Sequence, residues 1–585
     1  MSLVTVDDLS VRFGASTVVS GVSFSVEEGE CIGIVGESGS GKSVTARALL
    51  GLAGRRAVVS AAALDVDGSD IRTASHRQLR ALRGREIGYV SQGALVALDP
   101  LRPVGREISD SLRLHTTMTP VERRARVIEL LADVGVPEPS LRAGQRPDEL
   151  SGGLRQRAVI ASAIALRPRL LIADEPTTAL DSTVQAGILD LLERLRDAGT
   201  AVILISHDLA VVSRLATRVL VMNAGTIVES GPTARVLGEP RHPYTRRLIA
   251  AVPTDRPRGT RLTPAVAPAP AAVSTAAGFP VAASVAAPVA APVGNSGTAV
   301  ADDTESSVST PGATATPEFP KTPGDAGGRA VVVAASRLSR RFGARLAVDD
   351  VSFTLERGRT LGVVGESGSG KTTVARLVLA LDRPDAGDVH VLGEPWTTAT
   401  ERERRALRPR IGAIYQDALS SFDPRFTVGR ILADAVSHGR STRAGDEVAA
   451  LLRRVGLDPA VAARRPLYLS GGQQQRVAIA RAIAAKPDVI VCDEPVSSLD
   501  VSVQAQVLDL LDELQHDLGI SYLFITHDLG VVRHVSDDVL VMQHGRVVES
   551  GPTERVFADP RDPYTRALFA SAPRIGGWRA PTPPS

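Results

Sequence analysis

The sequence predicts an α/β protein folded twice over, each half built on a mostly parallel sheet. Three observations carry this. The heptapeptide Gly36-Glu37-Ser38-Gly39-Ser40-Gly41-Lys42, followed by Ser43, returns as Gly365-Glu366-Ser367-Gly368-Ser369-Gly370-Lys371, followed by Thr372. Each copy stands between an apolar run (Cys31-Ile32-Gly33-Ile34-Val35; Leu361-Gly362-Val363-Val364) and a helix-like segment (residues 44–52; residues 373–381). Further on, four apolar residues lead into a carboxylate pair in each half: Leu170-Leu171-Ile172-Ala173 before Asp174-Glu175, and Val489-Ile490-Val491-Cys492 before Asp493-Glu494. Short apolar runs alternating with helical segments are the pattern of buried parallel strands joined by crossover helices.

The two glycine loops fit G-x-x-x-x-G-K-[ST], the phosphate-binding P-loop, in the strand–loop–helix context that the motif requires. Glycines let backbone N–H groups converge on phosphate oxygens, and the following helix N-terminus adds partial positive charge. Lys42 and Lys371 are placed to reach β- and γ-phosphates, and Ser43 and Thr372 to ligate Mg²⁺. Lysine usage agrees. Of 67 Lys+Arg only four are lysine, Lys42, Lys321, Lys371 and Lys486, and two of those stand in the loops. A compact ammonium suits this pocket better than a planar guanidinium.

With 585 residues, two or more domains are expected. An apolar fraction of 43% is ample for folded cores, and a net charge of +2 implies no strong polyanion-binding surface, so no nucleic-acid partner is expected. The two cysteines, Cys31 and Cys492, form no metal-binding pattern and read as buried small hydrophobes. The start, MSLVTVDDLS, lacks the basic and apolar regions of a signal peptide. Landmarks recur in order: Lys42 with Lys371, Gln92 with Gln416, Ser151 with Ser470, Glu175 with Glu494, His207 with His527. The expected division is a first domain over 1–253, a linker over 254–328, a second domain over 329–575 and a flexible tail over 576–585. Residues 265–298 of the linker carry no charge, but prolines at 268, 270, 280, 288 and 292 argue against a membrane span. A disordered tether of this length spans about 45–50 Å.

A strand ending in Asp-Glu delivers charge at its C-terminal end. Asp174 and Asp493 are expected to hold Mg²⁺, and Glu175 and Glu494 to polarise the attacking water as general bases. Leu150-Ser151-Gly152-Gly153 and Leu469-Ser470-Gly471-Gly472 each open a helix, a second anion-binding N-terminus that has no lysine.

Together with the P-loops and the carboxylate pairs, these segments resemble the signature of the ATP-binding cassette (ABC) ATPases. The resemblance covers both halves and excludes only the linker. It implies two tandem ABC ATPase domains, each with a P-loop (RecA-like) parallel-sheet core, an antiparallel β subdomain and a helical subdomain. It further implies that Phe13 and Phe342 stack on adenine, and that Gln92 and Gln416 touch Mg²⁺ and water and sense a membrane partner. By the same resemblance Asp181 and Asp500 are expected to link the two sites, and His207 and His527 to contact the γ-phosphate. Ser-Gln-Gly at 91–93 departs from Tyr-Gln-Asp at 415–417, which weakens the expectation for the first half. The resemblance also implies an intramolecular head-to-tail pairing with two ATP molecules sandwiched. One would lie between Lys42, Gln92, Glu175, His207 and Ser470 to Gly472. The other would lie between Lys371, Gln416, Glu494, His527 and Ser151 to Gly153.

Each half ends alike: Gly231-Pro232-Thr233 through His242-Pro243-Tyr244-Thr245, and Gly551-Pro552-Thr553 through Asp562-Pro563-Tyr564-Thr565. Asp562 can cap a helix that begins at Pro563. The paired tails resemble those of the peptide/nickel (oligopeptide and dipeptide) importer ATPases, here with two subunits fused in one chain. The implied partners are two integral-membrane permease subunits and an extracytoplasmic solute-binding protein, with the ATPase peripheral at the cytoplasmic face of the inner membrane. The resemblance implies peptide as the first expectation for the solute and nickel as the second. The inserts 104–150 and 427–468, which differ between halves, are expected to dock the permeases. A soluble tandem ABC ATPase acting on ribosomes is the rival class, but its linker is typically a charged helical hairpin.

Overall fold

The apolar runs before the glycine loops lie inside parallel sheets, buried on both faces. In the computed structural model the described residues are 2–54, 56–91, 97–178, 180–254, 256–263, 329–437 and 445–572. Among them, each half contains a six-stranded sheet. In the first half the order is Thr226–Pro232, Arg218–Asn223, Cys31–Val35, Ala201–Ile205, Leu170–Asp174, Ile87–Val90. All neighbours run parallel except the antiparallel pair at the Thr226–Pro232 edge. The second half repeats it as Arg546–Pro552, Asp538–Gln543, Thr360–Val364, Ser521–Ile525, Val489–Asp493, Ile411–Ile414. Every residue of Cys31–Val35, Leu170–Asp174 and Ala201–Ile205 is buried, which is why these strands are continuous in apolar character rather than alternating.

A smaller antiparallel sheet precedes each core. Its long hairpin, Ser2–Phe13 with Ser16–Glu27, is matched by Val331–Phe342 with Arg345–Glu356. A helical layer, Val104–His115, Pro120–Asp133 and Gly152–Ala163, packs Ile108, Leu112, Val127, Leu130 and Ile160 into a shared core. Its counterpart is Val428–Ser437, Gly445–Arg454 and Gly471–Ile483. The three-part architecture expected for each half is therefore present. Cys31 and Cys492 are both fully buried and free, and burial pushes the Cys31 thiol up to about 12.

Where the linker is expected to begin, at 254, the described residues 251–254 and 256–263 lie along the second half as a strap. Ala251 and Leu262 belong to that half's helical core. The N–H groups of Leu262 and Thr263 both donate to the Asp509 carboxylate, at 2.9 Å each. Arg258 donates to the Val535 carbonyl (2.7 Å) and to Gln515 Oε1 (2.6 Å), and pairs with Asp537 (2.6 Å). Prolines 253 and 257 and scattered charge make this stretch read as linker. What orders it is a buried carboxylate, Asp509, which accepts from Leu262 and Thr263 of this segment. The rest of the proposed linker, and the tail 576–585, lie outside the described residues.

Candidate functional site

The glycine loop is shaped by close backbone approach. A Cβ on Gly36 would sit 2.2 Å from the Met222 carbonyl oxygen, and Gly41 caps the next helix at φ +102°, a left-handed conformation. Gly365 and Gly370 repeat both features. The helices Lys42–Leu49 and Lys371–Val378 therefore begin without a side-chain cap, leaving their first N–H groups for a ligand. The Lys42 ammonium donates to the carbonyls of Gly36 (2.7 Å) and Glu37 (2.8 Å), and Lys371 does the same to Gly365 and Glu366. Burial pulls both ammoniums below their usual range, against the opposing pull of nearby carboxylates. An anionic ligand would relieve that strain.

At the strand ends, the Ser43 hydroxyl donates to Asp174 (2.9 Å) and the Thr372 hydroxyl to Asp493 (3.4 Å). Burial, with the neighbouring glutamate, pushes both aspartates above the usual carboxylate range. One hydroxyl and one carboxylate per site fit Mg²⁺, which keeps most of its shell as water and phosphate oxygens.

Glu175 and Glu494 follow directly, at φ +52° and +49°. A left-handed glutamate is strained, and both halves retain the strain at the same place. His207 Nδ1 lies 3.4 Å from Glu175 Oε1, and His527 Nδ1 lies 3.0 Å from Glu494 Oε1. Burial pushes each glutamate up, but the histidine's hydrogen bond and charge hold it below the usual range. The histidines are raised in turn, burial being outweighed by the glutamate. Gln416 Nε2 donates to Glu494 Oε2 at 2.9 Å. Gln92 lies outside the described residues.

Ser151 and Ser470 cap the helices that open with the two signature glycines. In the second half Gln473 returns a hydrogen-bond acceptor to Ser470 N, closing a capping box that Leu154 cannot make. The two glycines differ in role. A Cβ on Gly153 or Gly472 would lie 2.5 Å from Val184 or Val503, whereas Gly152 and Gly471 have only a leucine methyl at 3.8 Å. The second glycine is a packing requirement and the first faces open space.

The halves meet at these sites. Asp500 accepts from Ser38 N (3.0 Å) and Ser38 Oγ (2.7 Å) in the other half's glycine loop. Asp181 accepts from Ser367 N (3.4 Å), and Thr183 Oγ1 donates to Glu366 (2.6 Å). Phe342 is 45% exposed beside the second glycine loop, while Phe13 is half-buried against the small sheet's core.

Three tyrosines escaped the sequence reading. The hydroxyls of Tyr244 and Tyr564 accept from the N–H groups of Glu37 and Glu366 at 3.0 Å, tying each tail helix to its own glycine loop. Their signal was the repeated Pro-Tyr-Thr of the tails, which the sequence reading used for the family resemblance and the helix start but not for the tyrosine hydroxyls. Asp562 does cap that helix, with Pro563 in its first turn. The Tyr89 hydroxyl reaches Asp174 Oδ2 at 3.3 Å and has no counterpart at Ala413.

A family model described as ABC transporter matches residues 19–178 and 348–497, and one described as oligopeptide/dipeptide transporter, C-terminal region, matches 228–278 and 548–584. The chain is 42% identical over 582 residues to a peptidoglycan transport ATP-binding protein of Agrobacterium fabrum, covering 97% of this chain and 96% of that relative. It is 41% identical to an oligopeptide transport ATP-binding protein of Mycobacterium tuberculosis, covering 98% of both chains. It is 39% identical to a glutathione import ATP-binding protein of Escherichia coli K12, covering 98% of this chain and 90% of the relative.

Proposed function

The chain belongs to the ABC transporter ATP-binding family, and from that premise we propose that it is the fused ATPase of a peptide importer. It hydrolyses ATP with Mg²⁺ and couples hydrolysis to transport through membrane permeases. The observation that carries the peptide reading is the pair of tails, each matching the oligopeptide/dipeptide transporter C-terminal region. No described helix is long and apolar enough to cross a membrane, so the path for solute belongs to other chains.

The two halves act head to tail, each ATP held between one glycine loop and the signature helix of the other half. Lys42 and Lys371 bind the β- and γ-phosphates with the loop N–H groups. Ser43 with Asp174, and Thr372 with Asp493, would hold Mg²⁺, which would neutralise phosphate charge there. Gln416 and Gln92 would serve the metal and the attacking water. Glu175 and Glu494 accept the proton of the attacking water, and His207 and His527 orient those carboxylates and meet the γ-phosphate. Phe13 and Phe342 stack on adenine, and Ser151, Gly152, Gly153, Ser470, Gly471 and Gly472 close over the phosphates. Binding favours the closed pair and hydrolysis releases it. Two permeases and an extracytoplasmic solute-binding protein complete the importer, with this chain peripheral at the cytoplasmic face.

The test is reconstitution in liposomes with candidate permeases and a solute-binding protein, with ATP-dependent uptake of a labelled peptide as readout. Co-purification with ribosomes instead of permeases, and no peptide uptake, would overturn the reading.

A further inference from the structure

The two nucleotide sites share their loop lysines, strand-end carboxylates, histidines and signature glycines but differ in the hairpin beside the glycine loop. That hairpin turns at Gly14-Ala15 in the first half and Gly343-Ala344 in the second, so the residue opposite Phe13 is Ser16 and the residue opposite Phe342 is Arg345. Arg345 Nη2 donates to the carbonyl of Gly368, the middle glycine of the second loop, at 2.8 Å. With Phe342, Gly370, Lys371 and Thr372 it lines a cavity of about 340 Å³. An exposed, flexible arginine is thus fixed between the ring expected to stack on adenine and the loop expected to hold phosphate. One N–H of its fork is used on Gly368, and a guanidinium carries five. Ser16 can supply neither the reach nor the charge. Phe13 also differs, because it packs into the core and a Cβ at Gly54 would lie 3.6 Å from its ring.

We propose that Arg345 is a nucleotide-binding residue of the second glycine-loop site, contacting the phosphate chain, and that it makes this site the tighter of the two for ATP. The inference rests on the ATP-binding reading above. A guanidinium on a phosphate oxygen forms a charge-assisted hydrogen bond, stronger than a neutral one, and Ser16 at the equivalent position of the first half cannot make it.

The experiment isolates each site in the full chain. Lys42→Ala leaves the second site and Lys371→Ala leaves the first, and binding of radiolabelled ATPγS is measured by equilibrium dialysis. In the Lys42→Ala background, Arg345→Ser should weaken binding roughly tenfold and Arg345→Lys should restore most of it. In the Lys371→Ala background Arg345→Ser should change binding less than about twofold, while Ser16→Arg should tighten it. A change below about twofold in the Lys42→Ala background overturns the proposal, as does equal weakening in both backgrounds, which would mark a general loss of structure. Failure of the unsubstituted chain to bind two nucleotides would instead overturn the ATPase reading itself.

Discussion

Asp500 of the second half places one carboxylate oxygen 2.7 Å from the Ser38 hydroxyl and 3.0 Å from the Ser38 N–H in the first half's glycine loop. Its own helix, Val501–Leu518, receives no side-chain cap from it. Asp181, its equivalent, caps the helix Ser182–Asp197 through Val184 N at 2.9 Å and reaches Ser367 N only at 3.4 Å. The pair is unequal: one aspartate serves the partner loop and the other chiefly its own helix. Asp181→Ala should therefore lower thermal stability by about 1 kcal/mol, the usual loss for a helix cap. Asp500→Ala should leave the melting temperature nearly unchanged, because its bonds are exposed. It should instead slow turnover at the first site several-fold when the second is silenced with Glu494→Gln. Equal melting losses in the two variants would refute the assignment.

The left-handed backbone of Glu175 and Glu494 fixes what a substitution there can report. Glutamine keeps the side chain's shape and removes only its basicity, so the fold is preserved. A positioned base contributes typically 10²–10⁴-fold. Glu175→Gln and Glu494→Gln should each slow their own site by that order while retaining ATP. Both variants should impair transport, since neither site lacks its glutamate, histidine or signature glycines. Wild-type uptake by one variant and none by the other would show that only one site drives transport.

The histidine–glutamate pairs give a pH dependence with a definite sign. Glu494 is lowered from 4.5, so its contribution is present above that value and is lost as pH falls through the lower folded value. His527 is raised from 6.5, so its contribution is present below that value and is lost as pH rises through the higher folded value. The pair therefore stabilises most between pH 4.5 and 6.5. The melting temperature of His527→Gln should fall furthest below that of the parent chain in this window, by about 1 kcal/mol of stability, and converge toward it at alkaline pH. A gap constant from pH 5 to 9 would show that His527 contributes packing and no charge.

Most of the site was legible because its chemistry is local in sequence. Glycines that admit a carbonyl, a lysine two residues from the loop's serine, and a carboxylate ending an apolar strand can each be read within eight residues. Tyr244 and Tyr89 could not be read so. Each acts through its hydroxyl on a group more than 80 residues away. The strap at 251–263 was hidden for a related reason. Its own composition is that of a linker, and the order comes from Asp509 and Gln515 on a helix some 250 residues further on.

The signature glycines separate packing from function. Gly472→Ala would drive a methyl to 2.5 Å from Val503 Cγ1 and should destabilise the second half by about 1–3 kcal/mol. Gly471→Ala meets only Leu499 Cδ2 at 3.8 Å, and alanine is the better helix former, so the fold should hold or gain slightly. Its loss should appear in ATP-driven closing, as reduced turnover with a normal melting temperature. A melting loss at Gly471 as large as at Gly472 would contradict this division.

The strap predicts that the halves stay together when the rest of the linker is severed. Cleavage at 296–304 lies well beyond the last described contact at Thr263, so the bonds to Asp509, Gln515, Asp537 and Val535 remain on the first half's fragment. The cut chain should co-elute as a pair without nucleotide to hold it, and should retain ATPase activity when ATP is supplied. Asp509 is buried, and removing it leaves two backbone donors without their acceptor, a loss of about 1–3 kcal/mol. Alanine is well tolerated inside a helix, so Asp509→Ala should leave the second half folded. In the cut chain it should weaken association roughly tenfold or more. Combined with Arg258→Ala, it should let the halves separate on a sizing column in the absence of ATP. In the uncut chain the same substitutions should leave the halves tethered and the activity largely intact. Immediate separation of the unsubstituted halves after cleavage would show that the strap does not hold them, and unchanged association of the doubly substituted halves would show that the contacts at Ser38 and Glu366 suffice alone.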